Sequence, residues 1–208
     1  PEAQAACFKA LIDELRLDKV FVMGVSGGGP SAMHFAAQYP QNTSGLILFE
    51  AVSYSENFQE KDEALINAWD IDLFIQLSFM TYFGNKKLAA SMLPNKNNRA
   101  RLLANKRNIK LLKKVIWSIW PISRRRGGIK NDYNQFMNLD IPFERISCPT
   151  LIIHGSEDKN VDMDHAKYAN EKINNSTLYV VHEGDHMMHA THEEEIEEQI
   201  ELFIERYS

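Results

Sequence analysis

The chain has 208 residues, of which 44% are hydrophobic, and its net charge is −5 at pH 7. This composition excludes a disordered chain and allows one domain with a substantial buried core. No apolar run is long enough to cross a membrane, and Cys7 and Cys148 form neither a disulfide framework nor a metal-ligand spacing. Such cysteine usage is typical of a reducing compartment, so we predict a cytoplasmic protein.

Positive charge is concentrated in one stretch of the chain. Residues 86–130 hold 14 of the 23 lysines and arginines and no aspartate or glutamate, whereas the rest of the chain holds nine basic and 28 acidic residues. A run of one charge is usually a solvated face, and we favour that interpretation. The alternative is an anionic partner. We expect no nucleic acid, and contact with an anionic membrane surface stays open as the less favoured alternative.

The predicted elements at the start of the chain alternate between helix and strand. Residues 3–16 place their apolar side chains on one face of an amphipathic helix. Val20–Val25 and Gly45–Glu50 are short apolar runs, so we interpret both as buried strands. A second helix lies between them, with Pro40 just past its end. Strand, helix and strand with continuous apolar runs predict a parallel sheet covered on both faces.

Residues 54–140 break this alternation. Apolar spacing predicts one helix over residues 64–75, with an aromatic and methionine-rich continuation, and another over residues 99–120 that Pro121 ends. No strand signal appears in this stretch. We therefore interpret it as a helical insertion into the sheet domain.

Strand signals return after the insertion. We expect two strands, at Leu151–Gly155 and Thr177–Val181, and two helices, at 163–172 and 193–206. The fold class is therefore α/β, with a parallel sheet. The core is formed by residues 1–53 and 141–208.

The sequence Gly24-Val25-Ser26-Gly27-Gly28 follows the first strand and fits the pattern G-x-S-x-G. A sharp turn between a strand and a helix holds such a serine with its hydroxyl pushed out of the turn. We expect the two outer glycines, Gly24 and Gly28, to be required because the strand end and the helix start pass too close for a side chain. The backbone N–H of Gly27, at the helix N-terminus, is expected to face a developing oxyanion.

A glycine loop that binds phosphate is the main alternative for this turn. Such a loop needs a lysine followed by serine or threonine, and neither follows here. A dinucleotide-binding fingerprint fits no better, because Ser26 occupies its central glycine position. The strand before the turn and the helix after it favour Ser26 as a nucleophile.

A serine hydroxyl needs a base, usually a histidine that a carboxylate holds in one tautomer. In an open parallel sheet such groups lie just past the carboxyl ends of strands. The candidates for the acid are Glu157 and Asp158, and those for the base are His182, His186, His189 and His192. His182–His186 has the spacing H-E-x-x-H but follows a strand, so it supplies no helical metal-binding frame, and we predict no metal site.

Taken together, these residues resemble the α/β-hydrolase superfamily. The later motifs of that family, H-G-x-x-D and G-D-H, occur here as His154–Asp158 and Gly184–His186, in the family order of serine, acid and histidine. The resemblance covers nearly the whole chain and equates the helical insertion with the cap of the family. It implies that Asp158 is the acid and His186 the base.

The resemblance implies a serine hydrolase that acts on a carboxylic ester or related small acyl substrate and needs no cofactor. If the cap roofs the pocket, part of the substrate is apolar. The residues expected to contact it are Val25, Val161, Met187, Trp117 and Trp120. Two alternatives stay open: a non-catalytic ligand-binding protein with this fold, and a lyase on the same fold.

The family core has eight strands, and this chain carries signals for only the last four. The resemblance therefore implies that the first four strands, and the loop that donates the second oxyanion N–H, are absent from these 208 residues. Val20–Val25 would then offer an unpaired apolar edge. We expect this edge to pair with the absent half or to cause self-association.

Overall fold

The computed structural model describes residues 1–57, 93–119 and 122–208. They belong to two compact units. A sheet unit comprises Pro1–Ser55, Leu139–His186 and Glu194–Ser208, and a helical unit comprises Glu56–Asn138 and Met187–Glu193. The helix predicted over residues 64–75 and its aromatic continuation lie outside the described residues, and so does Trp120.

Four parallel strands form the sheet, in the order β1-β2-β3-β4. They are β1 (Val20–Val25), β2 (Thr43–Phe49), β3 (Thr150–Gly155) and β4 (Ser176–Val181). The predicted α/β class and parallel sheet are confirmed. The second strand starts two residues earlier than predicted and ends at Phe49, so Glu50 lies just beyond it.

The described residues form seven α-helices. They are α1 (Glu2–Glu14), α2 (Gly29–Gln38), α3 (Lys96–Ala104), α4 (Lys106–Ile119), α5 (Ile122–Phe136), α6 (Met163–Lys172) and α7 (Glu193–Tyr207). The helices α3 and α6 each begin at a side-chain cap, since Asn95 accepts the Asn97 N–H at 2.7 Å and Asp162 accepts the Asp164 N–H at 3.0 Å.

The core of the sheet unit lies between the sheet and the helices α2 and α6. Leu46, Leu48 and Ile152 point to this face and pack against alanines, whose small size lets the helices approach the strands closely. The alanines are Ala32, Ala36 and Ala37 of α2, and Ala166 and Ala169 of α6. Val22 also joins this cluster, so its neighbour Phe21 faces the other side of the sheet. There its ring meets the ring of Phe203 in α7 edge-on, at 6.0 Å between centroids.

The helical unit corrects one of our predictions and contains one helix that we did not name. We expected one helix over residues 99–120, but Asn105 is extended (φ −120°, ψ 118°) and separates α3 from α4. The Asn105 side chain accepts the Arg107 N–H at 2.8 Å, so this residue caps the start of α4. The helix α5 was not among the helices named in our sequence analysis, although it lies in the predicted helical insertion, and it contains Gly127 and Gly128, which weaken a helix.

One apolar cluster holds α3 and α4 together. Its buried members are Leu93, Leu102, Ile109, Leu112 and Ala190, and the half-buried Met187 packs against them. Basic side chains of these helices, among them Lys106, Lys110 and Lys114, are exposed. The solvated face stays our favoured interpretation of this basic surface, and contact with anionic lipid stays the alternative. In the described part of the chain, no helix combines the length and apolarity that a membrane span requires.

Adjacent leucines in α3 give a matched test of this cluster. Leu102 is 1% exposed and Leu103 is 38% exposed. Leu102→Ala is expected to destabilise the helical unit by about 2–5 kcal/mol because it leaves a cavity, whereas Leu103→Ala should cost less than about 1 kcal/mol. Native-state hydrogen exchange of the α3 and α4 amides measures both effects. Equal losses of protection in the two variants would contradict the packing described here.

Candidate active site

Ser26 lies at the carboxyl end of β1, in a turn that leads directly into α2. Its backbone is left-handed, with φ 50°, and a single 3₁₀ turn, Ser26–Gly28, follows. For a residue other than glycine this conformation costs about 1–3 kcal/mol. The Val52 N–H donates to the Ser26 carbonyl at 3.0 Å and helps to hold the turn. Gly27 is exposed in the same turn.

The structure changes which glycines this turn requires. A Cβ at Gly24 would lie 2.7 Å from the Ala32 Cβ, so that close approach is as predicted. A Cβ at Gly28 would meet nothing within 4 Å, so the prediction that Gly28 is sterically required is wrong. The second close approach is at Gly29, where a Cβ would lie 2.7 Å from both the Ala51 Cβ and the Val52 carbonyl oxygen.

Backbone contacts join the loops that follow β3 and β4. The Ser156 N–H donates to the Val181 carbonyl at 3.0 Å, and the Ser156 hydroxyl accepts the Glu183 N–H at 2.9 Å. A Cβ at Gly155 would lie 2.4 Å from the Gly184 carbonyl oxygen, so only glycine permits this approach. The two loops therefore hold a fixed spacing, and each carries one candidate catalytic residue.

Asp158 is buried in the loop after β3. Its Oδ1 accepts the N–H groups of Asn160 at 2.8 Å and Val161 at 3.1 Å, which orient the carboxylate. The neighbouring Glu157 is exposed, and its N–H donates to the Gly184 carbonyl at 2.8 Å. Of the two acids proposed from the sequence, Asp158 is the one whose carboxylate reaches His186.

His186 bridges Asp158 and Ser26. Its Nδ1 lies 2.8 Å from Asp158 Oδ2, and its Nε2 lies 3.1 Å from Ser26 Oγ. An ionised carboxylate only accepts hydrogen bonds, so Nδ1 carries the proton and Nε2 is free to accept the serine proton. The Nδ1–H tautomer is the one that a general base next to a serine requires.

The other histidines occupy different positions. His154 is buried beside Asp158, and its Nε2 donates to the Val161 carbonyl at 3.0 Å. Burial lowers the pKa of His154, so this ring is neutral at pH 7. His182 is exposed at the end of β4. His189 and His192 belong to the helical unit, where His192 contacts Arg101.

The five residues predicted to contact substrate lie in several places. Val25 is 49% exposed beside Ser26, and Val161 is buried in the loop after β3. Met187 packs on the apolar cluster of the helical unit, and Trp117 belongs to α4. Trp120 is outside the described residues. The substrate contacts of all five stay a prediction.

Glu50 is a site residue that our sequence analysis missed. It lies one residue past β2, is 1% exposed, and has the same left-handed φ of 50° as Ser26. Its Oε2 lies 3.8 Å from His186 Nδ1. Burial, and then the charges of Asp158 and Asp185, raise the pKa of Glu50 to about 9. A signal existed in the sequence, because Glu50 is a charged residue at the carboxyl end of a buried strand.

Glu50, Asp158 and His186 could together hold a metal ion. One ligand atom of each lies within 4.8 Å of the others, in the part of the chain that the structure describes. A cation that used His186 Nδ1 would have to displace the proton shared with Asp158, so metal binding and the hydrogen bond compete. Our expectation of no metal stays a prediction.

Comparison with known proteins identifies the family. A family model described as alpha/beta hydrolase fold matches residues 2–193. The chain belongs to the α/β-hydrolase family. The resemblance predicted from the sequence is thus confirmed.

Relatives of this α/β-hydrolase chain are similar to it over most of its length. Uncharacterized hydrolase YcgS of Bacillus subtilis is 29% identical, over 86% of this chain and 65% of that protein. The 2-hydroxy-6-oxo-2,4-heptadienoate hydrolase of Pseudomonas putida is 25% identical, over 86% of this chain and 61% of that protein. The chain therefore spans less than two thirds of the length of these curated relatives.

Solved structures share the fold. An alpha/beta hydrolase fold protein from Nakamurella multipartita superposes with a TM-score of 0.76 at 27% identity, covering 92% of this chain and 70% of that one. A thermophilic esterase from Thermogutta terrifontis gives a TM-score of 0.68 at 18% identity, covering 100% of this chain and 73% of that one. At such low identity, the second comparison supports the α/β-hydrolase fold alone.

The glycines after Ser26 provide a matched test of the α/β-hydrolase turn. Gly28 and Gly29 both have helical backbone angles, so alanine fits either backbone. Gly29→Ala is expected to destabilise the sheet unit by about 1–3 kcal/mol, because its Cβ collides with Ala51 and the Val52 carbonyl. Gly28→Ala should be neutral or stabilise by up to about 1 kcal/mol. Thermal unfolding measures the stability of both variants. Equal stability of Gly29→Ala and Gly28→Ala would contradict the close approach of Gly29 to Ala51 and the Val52 carbonyl.

Proposed function

We propose that the protein is a serine hydrolase that cleaves a carboxylic ester or a related acyl substrate through a Ser-His-Asp triad. The observation that carries this proposal is the continuous hydrogen-bonded path from Ser26 Oγ through the His186 ring to Asp158. It is supported by the family and by relatives named as hydrolases.

In the first step, Ser26 Oγ attacks the substrate carbonyl carbon and its proton passes to His186 Nε2. The new positive charge on the imidazole faces the Asp158 carboxylate, which stabilises it and keeps the ring in place. The carbonyl oxygen becomes an oxyanion, and we assign the Gly27 N–H as one of its donors. Collapse of this intermediate breaks the bond to the leaving group, which takes the proton from His186 and leaves an acyl group on Ser26.

Water completes the reaction in a second, equivalent step. His186 removes a proton from water as the water oxygen attacks the acyl carbon. Collapse returns the proton to Ser26 and releases the carboxylic acid. The side chains take up and return protons within one cycle, so this proposed chemistry needs no cofactor.

We assign the helical unit as the cap of this hydrolase and expect an apolar part of the substrate to lie against it. Trp117, in α4, and Met187, directly after the base, are the proposed contacts from this unit. Val25 and Val161 are the proposed contacts from the sheet unit. The relative from Pseudomonas putida is named for a 2-hydroxy-6-oxo-dienoate, so a substrate of that class belongs in the activity screen beside simple esters.

The covalent acyl-serine intermediate distinguishes the proposed hydrolase from two other functions. A ligand-binding protein with this fold would form no acyl-serine and release no product. A lyase on this fold would release product without an acyl group on Ser26. Labelling of Ser26 by a fluorophosphonate and mass spectrometry of a trapped acyl-enzyme separate these from the proposed hydrolase.

Single substitutions test the triad in a preparation whose wild-type form shows activity. Ser26→Ala and His186→Ala are each expected to lower kcat by about 10⁶-fold, and Asp158→Asn by about 10⁴-fold, because the groups act as a unit. Initial rates on 4-nitrophenyl acetate measure the losses, and circular dichroism checks folding.

Glu157→Gln is the matched control for the acid. Glu157 is the exposed neighbour of Asp158, and its side chain takes no part in the proposed reaction. This variant should keep the wild-type rate. Substantial turnover in folded Ser26→Ala protein would overturn the proposed mechanism, and a loss in Glu157→Gln as large as that in Asp158→Asn would overturn the assignment of the acid.

A further inference from the structure

Glu50 is an ionisable residue whose side chain is buried next to His186. Its Oε1 is inaccessible to solvent and has no hydrogen-bond partner among the described residues. Its backbone is left-handed, and the Glu50 N–H donates to the Ile153 carbonyl at 2.9 Å, which fixes the residue between β2 and β3. An unpartnered buried polar atom and a strained backbone both cost stability, so packing alone does not account for a glutamate here.

The surroundings of Glu50 are the charged groups of the active site. Asp158 and His186 face it from the loops after β3 and β4, and Asp185 lies beside His186 in the second loop. His154, at the end of β3, faces Asp158. Two buried carboxylates already stand near the Glu50 carboxyl group, so a third negative charge there is unfavourable and the protonated form is favoured.

We propose that Glu50 is a positioning residue of the active site: it holds a proton in the resting enzyme, and on ionisation its carboxylate stabilises the imidazolium form of His186. The geometry is the 3.8 Å separation between Glu50 Oε2 and His186 Nδ1, on the same edge of the ring that Asp158 holds at 2.8 Å. This inference rests on the proposed function, because it concerns the proton affinity of the proposed base.

The proton on Glu50 therefore affects the strength of the base. With Glu50 neutral, Asp158 is the carboxylate that balances the imidazolium formed in the transition state. When Glu50 releases its proton to solvent, a second negative charge lies near Nδ1, and opposite charges at this distance attract strongly in a buried site. The imidazolium becomes easier to form, so removal of the Ser26 proton becomes faster.

Ionisation of Glu50 should raise the activity of the enzyme at alkaline pH. The raised pKa of Glu50, about 9, places its ionisation on the alkaline side of the activity profile. We expect kcat/KM to rise by about tenfold at alkaline pH as Glu50 ionises, because the second negative charge near Nδ1 makes the imidazolium easier to form. A group that only fills space would cause no such alkaline rise.

The experiment compares pH profiles of kcat/KM from pH 5 to 10.5 on 4-nitrophenyl acetate, with the rate of Ser26→Ala subtracted at each pH. Glu50→Gln keeps the size of the side chain and cannot ionise, so it should lack the alkaline rise. The exposed Glu157→Gln is the matched control and should keep the alkaline rise. If Glu50→Gln does not fold, Glu50→Met, which has a similar volume and no charge, replaces it.

A second readout does not depend on turnover. In wild-type protein with ¹³C-labelled glutamate side chains, the signal missing from the Glu50→Gln or Glu50→Met spectrum should titrate far above the ordinary range of a glutamate. In Asp158→Asn the midpoint of the Glu50 titration should move to lower pH, because the negative charge of Asp158 near the Glu50 carboxyl group is gone.

The outcomes separate the two proposals. Loss of activity in Ser26→Ala together with an alkaline rise that persists in the Glu50 variant would overturn the role of Glu50 and leave the serine hydrolase intact. Turnover that survives in Ser26→Ala would overturn the serine hydrolase, and the titration would still test the coupling of Glu50 to Asp158. An ordinary midpoint near 4.5 for Glu50, or a wild-type profile that is flat above pH 8, would overturn the inference.

Discussion

The contact between the loops after β3 and β4 is the constraint on which the site depends. Gly155 and Gly184 approach so closely that no side chain fits between them, and Ser156 links the same two loops through its backbone and its hydroxyl. This contact sets the distance between Asp158 and His186. The parallel sheet then adds the third group, because the turn at Ser26 lies at the same edge, two strands away from β3.

Much of the sheet unit was predictable from local sequence. The limits of β1 agree with the prediction, and the other strands were found within two residues, because each contains a short apolar run. The inner strands β2 and β3 are buried almost throughout, whereas the outer strands β1 and β4 keep exposed residues such as Met23 and Val180. The helical unit was less predictable. The break at Asn105 depends on a single side-chain cap, and α5 has a sequence whose own preference for helix is weak, with two adjacent glycines.

The site shows the same division between local and tertiary information. Ser26 was predicted because it directly follows a strand, and the strand ends also supplied the candidates for the acid and the base, since strand ends meet at one edge. The motifs of the family then selected Asp158 and His186 among those candidates. Glu50 follows a strand too, but we counted it within the strand, and its left-handed backbone depends on tertiary contacts. The substrate contacts depend on how side chains distant in sequence come together, which periodicity does not encode.

The sequence distances within the site bear on how the protein folds. Ser26 and His186 are 160 residues apart, and the Ser53 N–H reaches His165 Nδ1 across 112 residues. Contacts this distant in sequence form only after large loops have closed, and parallel pairing of this kind is slow. Helices such as α4 need only local contacts to form. Secondary structure should therefore return early in refolding, and the alignment of serine, histidine and aspartate should be among the last events, so helix content is a poor measure of how much competent protein is present.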